Sequence, residues 1–390
     1  MNSKSLKILK ILLVTITLFS VVAATGLAGC KPASAVEETT ATQETSVQET
    51  EGGAETTAEE TAAETTAEVA NPDEIKGDIN ILTGQEISDS VLNGRPVAVM
   101  IENQPAARPQ SGLTSADVVF EVVDEGGVTR FVSIFSSKQP DLVGPVRSTR
   151  PYYAEIAAGF DPIYVFWGTA PYFYIIVERL GLDYLSPLGD DTGASSIAAN
   201  FVDPGSGEGA DAIRDTTRQA PHNAYVRIPR MLEIAQNQGY SLEGGQSPFH
   251  FKEDAAEADR GDIADIALNF SQQTFKAEFK YDSASNTYLR YIAGDANTDR
   301  ETGDQITVNN VIALITDIKN SGDDAGHMLV RTTQSGDAFY FFDGNVIEGT
   351  WSRLSALEPF QFKDKDGKTI LINRGQTWVS VIAGIEQLEY

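Results

Sequence analysis

Apolar runs of five to eight residues, separated by turn residues, dominate positions 90–240. We predict four strands there, because the runs are compact or alternate with period two, and three helices, each of which begins at a proline. The predicted strands are 96–101, 117–123, 128–135 and 163–167, and the predicted helices are 151–158, 171–180 and 229–238. Strands alternating with helices predict a layered α/β domain over residues 90–240.

The pattern changes after residue 240. Residues 241–261 are polar, contain Gly244-Gly245 and a charge run, and are predicted to be a linker. From residue 262 to 390, strand patterns follow one another between turn signals such as Asp343-Gly344. The predicted strands are 263–270, 275–281, 287–292, 308–316, 327–333, 338–342, 346–351, 369–372 and 377–382. We therefore predict a mostly antiparallel β-rich C-terminal domain and an α+β two-domain fold class.

The first 30 residues have the layout of an export signal. Lys4, Lys7 and Lys10 precede an uncharged run over 11–29, which ends in Leu27-Ala28-Gly29-Cys30. This arrangement predicts a lipoprotein signal peptide over 1–29 and lipidation at Cys30, which would anchor the protein to the outer face of the cell membrane. The alternative is a transmembrane helix, because the 19 uncharged residues are nearly long enough to span a bilayer.

Residues 30–74 differ in composition from everything that follows. Positions 36–70 contain ten Glu and ten Thr with no aromatic residue, and no basic residue occurs between Lys31 and Lys76. Such a segment has too little apolar surface to offset the entropy of ordering. We predict a disordered acidic tether that separates the folded part from the membrane.

Charge and residue counts exclude several classes of protein. The chain has 29 basic and 56 acidic residues, a formal net charge of -27, which argues against a nucleic acid as partner. With one cysteine and three scattered histidines, it has no ligands for a cysteine-based zinc site and none of the spacing of a histidine metal site. It has neither a phosphate-binding G-x-x-x-x-G-K-[ST] loop nor a G-x-S-x-G elbow. We predict no cofactor and no metal.

Polar side chains gather around the ends of the predicted strands in residues 90–240. Because such ends tend to meet at one edge of an α/β sheet, we predict a ligand crevice there. A guanidinium binds carboxylate or phosphate through two hydrogen bonds, so arginines beside glycine and proline turns predict an anion site. The candidate ligand-binding residues are Arg108, Glu121, Arg130, Arg147, Arg150, Arg214 and Asn223. The alternative is that four of these arginines pair inside the fold with Glu102, Glu121, Asp124 and Glu125; the four are Arg108, Arg130, Arg147 and Arg150.

Two further residues are candidates for acid–base chemistry. His222 follows Pro221, and Glu125 lies in the turn between two predicted strands. A histidine acting as general base needs a carboxylate partner within hydrogen-bond reach. The alternative is a loop histidine that hydrogen-bonds the backbone.

Together the motifs resemble the YerB-like lipoprotein family, which is defined by paired N-terminal and C-terminal domains of unknown function. The resemblance is carried by Glu102-Asn103, 107–113 (ARPQSGL), 116–119 (ADVV), 125–131 (EGGVTRF), 144–152 (GPVRSTRPY), 220–223 (APHN), Asn310-Val311, 349–351 (GTW) and 376–378 (QTW). It implies an envelope lipoprotein of Gram-positive type bacteria and brings no established activity with it.

These observations lead to two hypotheses about function. The first is a tethered binding or scaffold protein whose arginine-lined crevice docks an anionic cell-wall component or an envelope protein. The second is an envelope hydrolase that acts on wall polymer, with Glu125 and His222 as its acid and base. Whether the protein is an enzyme is left open by the sequence.

Overall fold

Strands make up most of the secondary structure in the computed structural model, which describes residues 71–203 and 211–390. The predictions for the signal peptide, for Cys30 and for most of the tether therefore lie outside the described residues. All described residues belong to one compact unit.

Strands occur along the whole described part of the chain. In residues 71–240 they are β1 (Val97–Glu102), β2 (Val118–Val123), β3 (Thr129–Phe135), β4 (Ile163–Val165), β5 (Tyr184–Leu185), β6 (Ala212–Arg214) and β7 (Ala224–Val226). After residue 240 they are β8 (His250–Lys252), β9 (Asp265–Asn269), β10 (Lys276–Asp282), β11 (Thr287–Ile292), β12 (Asp295–Ala296), β13 (Thr307–Val308), β14 (Asn310–Ile315), β15 (Ile318–Asn320), β16 (Met328–Val330), β17 (Gln334–Phe342), β18 (Asn345–Arg353), β19 (Gln361–Asp364), β20 (Leu371–Asn373), β21 (Thr377–Ile382) and β22 (Leu388–Glu389).

The α-helices of the described residues are short: α1 (Pro151–Ala158), α2 (Tyr174–Leu180) and α3 (Ile228–Asn237). Pro151 stands at the first position of α1, where its missing N–H costs nothing. Gly181 ends α2 in the left-handed conformation, at φ 63°. None of the helices in this part of the chain is long and apolar enough to cross a membrane.

One ten-stranded sheet runs through both halves of the chain, in the order β19-β18-β17-β14-β21-β2-β3-β1-β4-β5. The halves join where β2 lies parallel to β21, with Val118 opposite Thr377 and Val122 opposite Val381. A second sheet has the order β12-β11-β10-β9-β22, with β13 paired to β11. Smaller sheets pair β15 with β16, β6 with β7, and β8 with β20. The predicted division at residue 240 stays a prediction, but the main sheet crosses it.

The central strands are buried on both faces, which is why their sequences are nearly continuous apolar runs. Along β1, Val97, Val99 and Ile101 enter a core that also contains α3 and the second sheet. Ala98 and Met100 enter the opposite core, which contains α1 and α2. The main sheet therefore lies between two apolar layers.

The fold-class prediction is confirmed in its coarse form, a mostly β-sheet protein with few helices, and only in part as an α/β layer. The predicted strands and helices of residues 90–240 are present at nearly the predicted positions. However, β1 and β2 both pair antiparallel with β3, whereas β1 pairs parallel with β4. The segment 241–261, predicted to be a linker, contains β8, which pairs with β20. Apolar periodicity identifies a strand but not its neighbours, which explains the difference.

Candidate functional site

Charged side chains meet where β1 and β2 end and β3 begins, because β3 runs antiparallel to both strands. Glu102, the last residue of β1, lies directly opposite Arg130 in register. The loop before α1 brings two more arginines to the same edge. We call this set the charged rim; it consists of Glu102, Asp124, Glu125, Arg130, Arg147 and Arg150. The predicted convergence of strand ends therefore occurs.

Asp124 is the buried anion of the charged rim, with a relative exposure of 1%. Its Oδ2 lies 2.7 Å from Nη2 of Arg130, and its Oδ1 accepts a hydrogen bond from the Tyr152 hydroxyl at 2.9 Å. Arg130 also donates from Nη1 to the carbonyl of Ser148 at 2.7 Å. Burial raises the pKa of Asp124, and the two nearby arginines oppose that shift. Arg130 is thus compensated inside the protein.

Arg150 is compensated as fully. Its Nε and Nη2 donate to the two carboxylate oxygens of Glu125 at 2.5 and 2.8 Å, the fork geometry that makes such pairs strong. Burial by itself would raise the pKa of Glu125, but hydrogen bonds from Arg150 and Asp124 and the nearby arginine charges lower it to about 2. Glu125 is therefore a stable carboxylate and a poor general acid.

That pairing leads to a pH-dependent prediction. The folded-state pKa of Glu125, about 2, lies below its ordinary value of 4.5, so the ion pair stabilises the protein above pH 4.5 and this stabilisation is lost as the pH falls toward 2. We expect Glu125→Gln to lower the free energy of unfolding at pH 7 by on the order of 1 kcal/mol, since solvent screens this partly open pair. Urea unfolding should be measured at several pH values from 6 to 2.5. The difference in the free energy of unfolding between variant and wild type should shrink steadily as the pH falls. A difference that does not change with pH would contradict the assignment.

Arg147 is held less tightly than the other arginines of the rim. Its Nε lies 3.4 Å from Oε1 of the buried Glu102 without hydrogen-bond geometry, and its side chain is 28% exposed. Among the described residues, its terminal nitrogens make no hydrogen bond. Burial lowers the pKa of Arg147, and Glu102 opposes that shift. Arg147 is thus the arginine of the charged rim with donors left for a ligand.

His222 also binds Glu102, with Nδ1 2.9 Å from Oε2. The structure therefore gives the two candidate acid–base residues different partners, because Glu125 is bound by Arg150. In the part of the chain that the structure describes, His222 and Glu125 make no contact with each other. The carboxylate beside His222 is Glu102, which the sequence analysis considered only as a partner for arginine.

Arg108 and Glu121 belong to an interior network rather than to the rim. Arg108 donates to the side chain and the carbonyl of Asn103 and to the carbonyl of Thr274. Burial, together with the nearby Arg290 cation, lowers the pKa of Arg108 to about 10. Glu121 is fully buried and is bound by Arg290, a residue that the sequence analysis did not single out because it lies in the middle of a β-strand pattern.

Arg214 and Asn223 lie together beside the loop that follows β4. Arg214 forms an ion pair with Asp203 at 2.6 Å, donates to Oδ1 of Asn223 at 3.0 Å, and stacks over the Trp167 ring at 4.3 Å. The first two contacts occupy N–H donors of the guanidinium, and the third covers one of its flat faces. Arg214 is therefore compensated by its neighbours, and its acidic partner is Asp203, a residue that the sequence analysis did not consider.

One cavity of about 280 Å³ opens between the two halves of the chain, and its lining is mainly apolar. Neither Glu125 nor His222 lines it. Its walls are Val123, Asp124, Gly127, Phe270, Ser271, Ile318, Met328, Val381, Ile382, Ala383 and Gln387. Within the described residues, no group of three or more Asp, Glu, His or Cys side chains is arranged to hold a metal ion.

Comparison with known proteins agrees with the motifs. The N-terminal domain model of the proteins of unknown function DUF3048 matches residues 82–241, and the C-terminal domain model matches residues 266–379. The chain belongs to the DUF3048 family. The predicted resemblance to the YerB-like family is thereby confirmed.

A curated sequence and a solved structure, both of YerB from Bacillus subtilis, extend this result. The protein named "Putative lipoprotein YerB" from Bacillus subtilis (strain 168) is 33% identical over 319 residues, which cover 81% of this chain and 90% of the relative. The crystal structure of YerB from Bacillus subtilis matches with a TM-score of 0.67 at 29% sequence identity, covering 80% of this chain and 98% of the other. The fold described above is therefore shared with an experimentally determined structure.

Proposed function

We propose that this DUF3048 protein is a lipid-anchored binding protein on the outer face of the cell membrane, and that the open guanidinium of Arg147 docks an anionic component of the cell wall. The tether would carry the folded part away from the bilayer and toward that component. Binding to an anionic envelope protein is the competing outcome of the same arrangement.

Two observations support the anchor. The uncharged run before Leu27-Ala28-Gly29-Cys30 has the layout of a lipoprotein signal, and a relative that covers most of this chain is named as a lipoprotein. A diacylglycerol and an amide-linked chain on Cys30 would insert more than one acyl chain, and two or more such signals give stable anchoring where one does not.

The single observation that carries the binding role is the unequal compensation of the rim arginines. Arg130 forms a 2.7 Å ion pair with Asp124 and donates to the Ser148 carbonyl, and Arg150 donates to both carboxylate oxygens of Glu125. Arg147 shares the buried carboxylate of Glu102 with His222, so one carboxylate serves two basic groups. An anion at Arg147 would receive the hydrogen bonds that Glu102 does not take up. The proposed anion site therefore consists of Arg147 and its neighbours rather than of the whole arginine cluster.

The test is Arg147→Gln, measured as equilibrium binding of the full-length protein to purified wall teichoic acid and to peptidoglycan fragments. We expect affinity for the bound component to fall at least about tenfold, because a charge-assisted hydrogen bond is worth about 1.5–3 kcal/mol. Measurements at about 150 mM salt keep the Debye length near 8 Å, which screens repulsion from the acidic body.

Arg374→Gln is the matched control. Arg374 has the same 28% side-chain exposure as Arg147 and also lies beside one carboxylate, Glu253, at 2.9 Å. Its replacement should leave wall binding unchanged. Equal loss of affinity in both variants would indicate a nonspecific charge effect, and unchanged binding by Arg147→Gln would refute the proposed site.

A further inference from the structure

Tyr172 is an unusually exposed aromatic residue beside the charged rim. Its relative exposure is 52%, yet its hydroxyl lies 2.7 Å from Nδ1 of His327, and its ring packs edge-on against Phe173 at 4.4 Å between centroids. The same Nδ1 atom of His327 also lies 2.7 Å from Oδ2 of Asp323. The ring is therefore fixed at its polar end while half of its surface remains open.

Hydrogen bonds join the Tyr172 loop to the Arg147 loop. The Trp167 N–H donates to the Arg147 carbonyl at 3.0 Å, and the Thr149 N–H donates to the Gly168 carbonyl at 3.1 Å. The Thr169 hydroxyl donates to the Thr149 carbonyl at 2.8 Å. The two loops therefore run side by side and present the tyrosine ring and the guanidinium on adjoining segments.

Tyr172 is also connected to the charged rim through its contact with His327. The Nε2 atom of His327 lies 3.7 Å from Oε1 of Glu125, the carboxylate that binds Arg150. Leu188, which is half exposed, packs against Gly168 on the same loop, since a Cβ on that glycine would lie 2.9 Å from a Leu188 methyl carbon. Two partly exposed side chains with apolar surface, Tyr172 and Leu188, thus lie on or against the loop that is hydrogen-bonded to the Arg147 loop, and Tyr172 is linked through His327 to Glu125 of the charged rim.

We propose that the ligand of the charged rim is an anionic glycan, with its acid group on Arg147 and the apolar face of a sugar ring against Tyr172. This inference rests on the proposed function, whose ligand class it names. A sugar ring has an apolar C–H face that packs on an aromatic ring and hydroxyls that donate to carboxylates such as Asp323. A polyanion without sugars would use Arg147 but not Tyr172.

The fixed position of Tyr172 adds to the argument. An aromatic ring with two side-chain torsions provides a large contact area at low entropic cost, and its bond to His327 reduces that cost before a ligand arrives. Tyr172 leaves half of its surface to solvent on a loop that is hydrogen-bonded to the Arg147 loop.

Three polymers separate the contributions of charge and sugar. Polygalacturonate carries a carboxylate on every sugar, poly-L-glutamate carries carboxylates without sugars, and dextran carries sugars without charge. We expect the full-length protein to bind polygalacturonate more tightly than poly-L-glutamate and to bind dextran too weakly to detect. Tighter binding to polygalacturonate than to poly-L-glutamate supports the proposal, because the two polymers share the carboxylate and differ in the sugar.

The deciding variant is Tyr172→Ala. Its affinity for polygalacturonate should fall about tenfold while its affinity for poly-L-glutamate stays as in wild type. Tyr172→Phe, which keeps the ring, should retain glycan affinity within about threefold, and the unchanged affinity of Tyr172→Ala for poly-L-glutamate shows that its loss is not one of folding. Tyr390→Ala, at a tyrosine with 48% exposure elsewhere in the structure, should have no effect.

The outcomes separate this inference from the proposed function. If Tyr172→Ala binds polygalacturonate as wild type does, or if wild type prefers poly-L-glutamate, the glycan assignment is overturned and the anion site at Arg147 stands. If Arg147→Gln leaves binding to both acidic polymers unchanged, the proposed function fails, and the inference that rests on it fails as well.

Discussion

Replacing Glu121 by leucine is expected to lower the free energy of unfolding by about 3–5 kcal/mol, because it leaves the buried Arg290 cation without its counter-ion. Both side chains have zero exposure, and Oε2 of Glu121 lies 2.7 Å from Nη2 of Arg290. Burial already lowers the pKa of Arg290, and only Glu121 opposes that shift.

The remaining contacts of Glu121 show why the loss should be large. Its Oε2 also accepts from the Trp378 indole at 3.2 Å, and its Oε1 accepts from Thr129 at 2.8 Å and from Asn103 at 3.2 Å. Leucine would leave all these donors unsatisfied in an apolar interior. The network also joins the main sheet to β11 of the second sheet, so the packing of the two sheets depends on it.

Urea unfolding at pH 7 tests the expectation. The double replacement Glu121→Leu with Arg290→Met should recover most of the lost stability, because a buried ion pair can be exchanged for apolar side chains at little cost. Glu348→Leu is the matched control: Glu348 forms a 2.6 Å pair with Lys365 on the surface, and its loss should cost no more than about 1 kcal/mol. Equal destabilisation by Glu121→Leu and Glu348→Leu would show that the buried network contributes no more to the free energy of unfolding than a surface ion pair does.

Replacing Cys30 by serine is expected to abolish lipid attachment. Cys30 is the only cysteine of the chain, so no other thiol can accept the diacylglycerol. Each acyl CH₂ group buried in the bilayer is worth about 0.8 kcal/mol, so loss of the chains removes the whole anchoring energy of the mature protein. Incorporation of labelled palmitate should fall from full labelling to none.

The control for this experiment is Ser34→Ala, which changes a hydroxyl four residues beyond the cysteine and should leave labelling intact. The mass of the N-terminal peptide provides the second readout, because cleavage before Cys30 removes the uncharged run. A wild-type protein that carries no label and keeps residues 1–29 would instead establish the transmembrane alternative.

Much of the fold follows from local patterns. The strands β1 to β4 and helix α1 occur where apolar runs, period-two alternation and an N-terminal proline predicted them, because these signals depend on neighbouring residues only. The convergence of strand ends at the charged rim followed from the same patterns. The family resemblance likewise rested on short motifs that the chain carries in order.

The candidate site was predicted less completely. Of the seven candidate ligand-binding residues, only three lie at the charged rim: Arg130, Arg147 and Arg150. Arg130 and Arg150 proved to be internally bound, and Glu102 rather than Glu125 proved to be the partner of His222. Tyr172 and its contact with His327 had no local signal, because the two residues are 155 positions apart in sequence. The residue type alone does not show whether an aromatic side chain is exposed or buried.

Residue order by itself was thus enough to predict export and lipid attachment and to determine the acidity and the positions of most strands, since each depends on composition or on a few adjacent side chains. The neighbours of each strand, and with them the charge balance of every arginine, were decided only by folding. Glu121 and Arg290 are 169 positions apart, and no local sequence pattern around either residue predicts the other as its partner. Whether a guanidinium is free to bind a ligand depends on which carboxylate long-range strand pairing brings to it, and that pairing is a property of the folded chain.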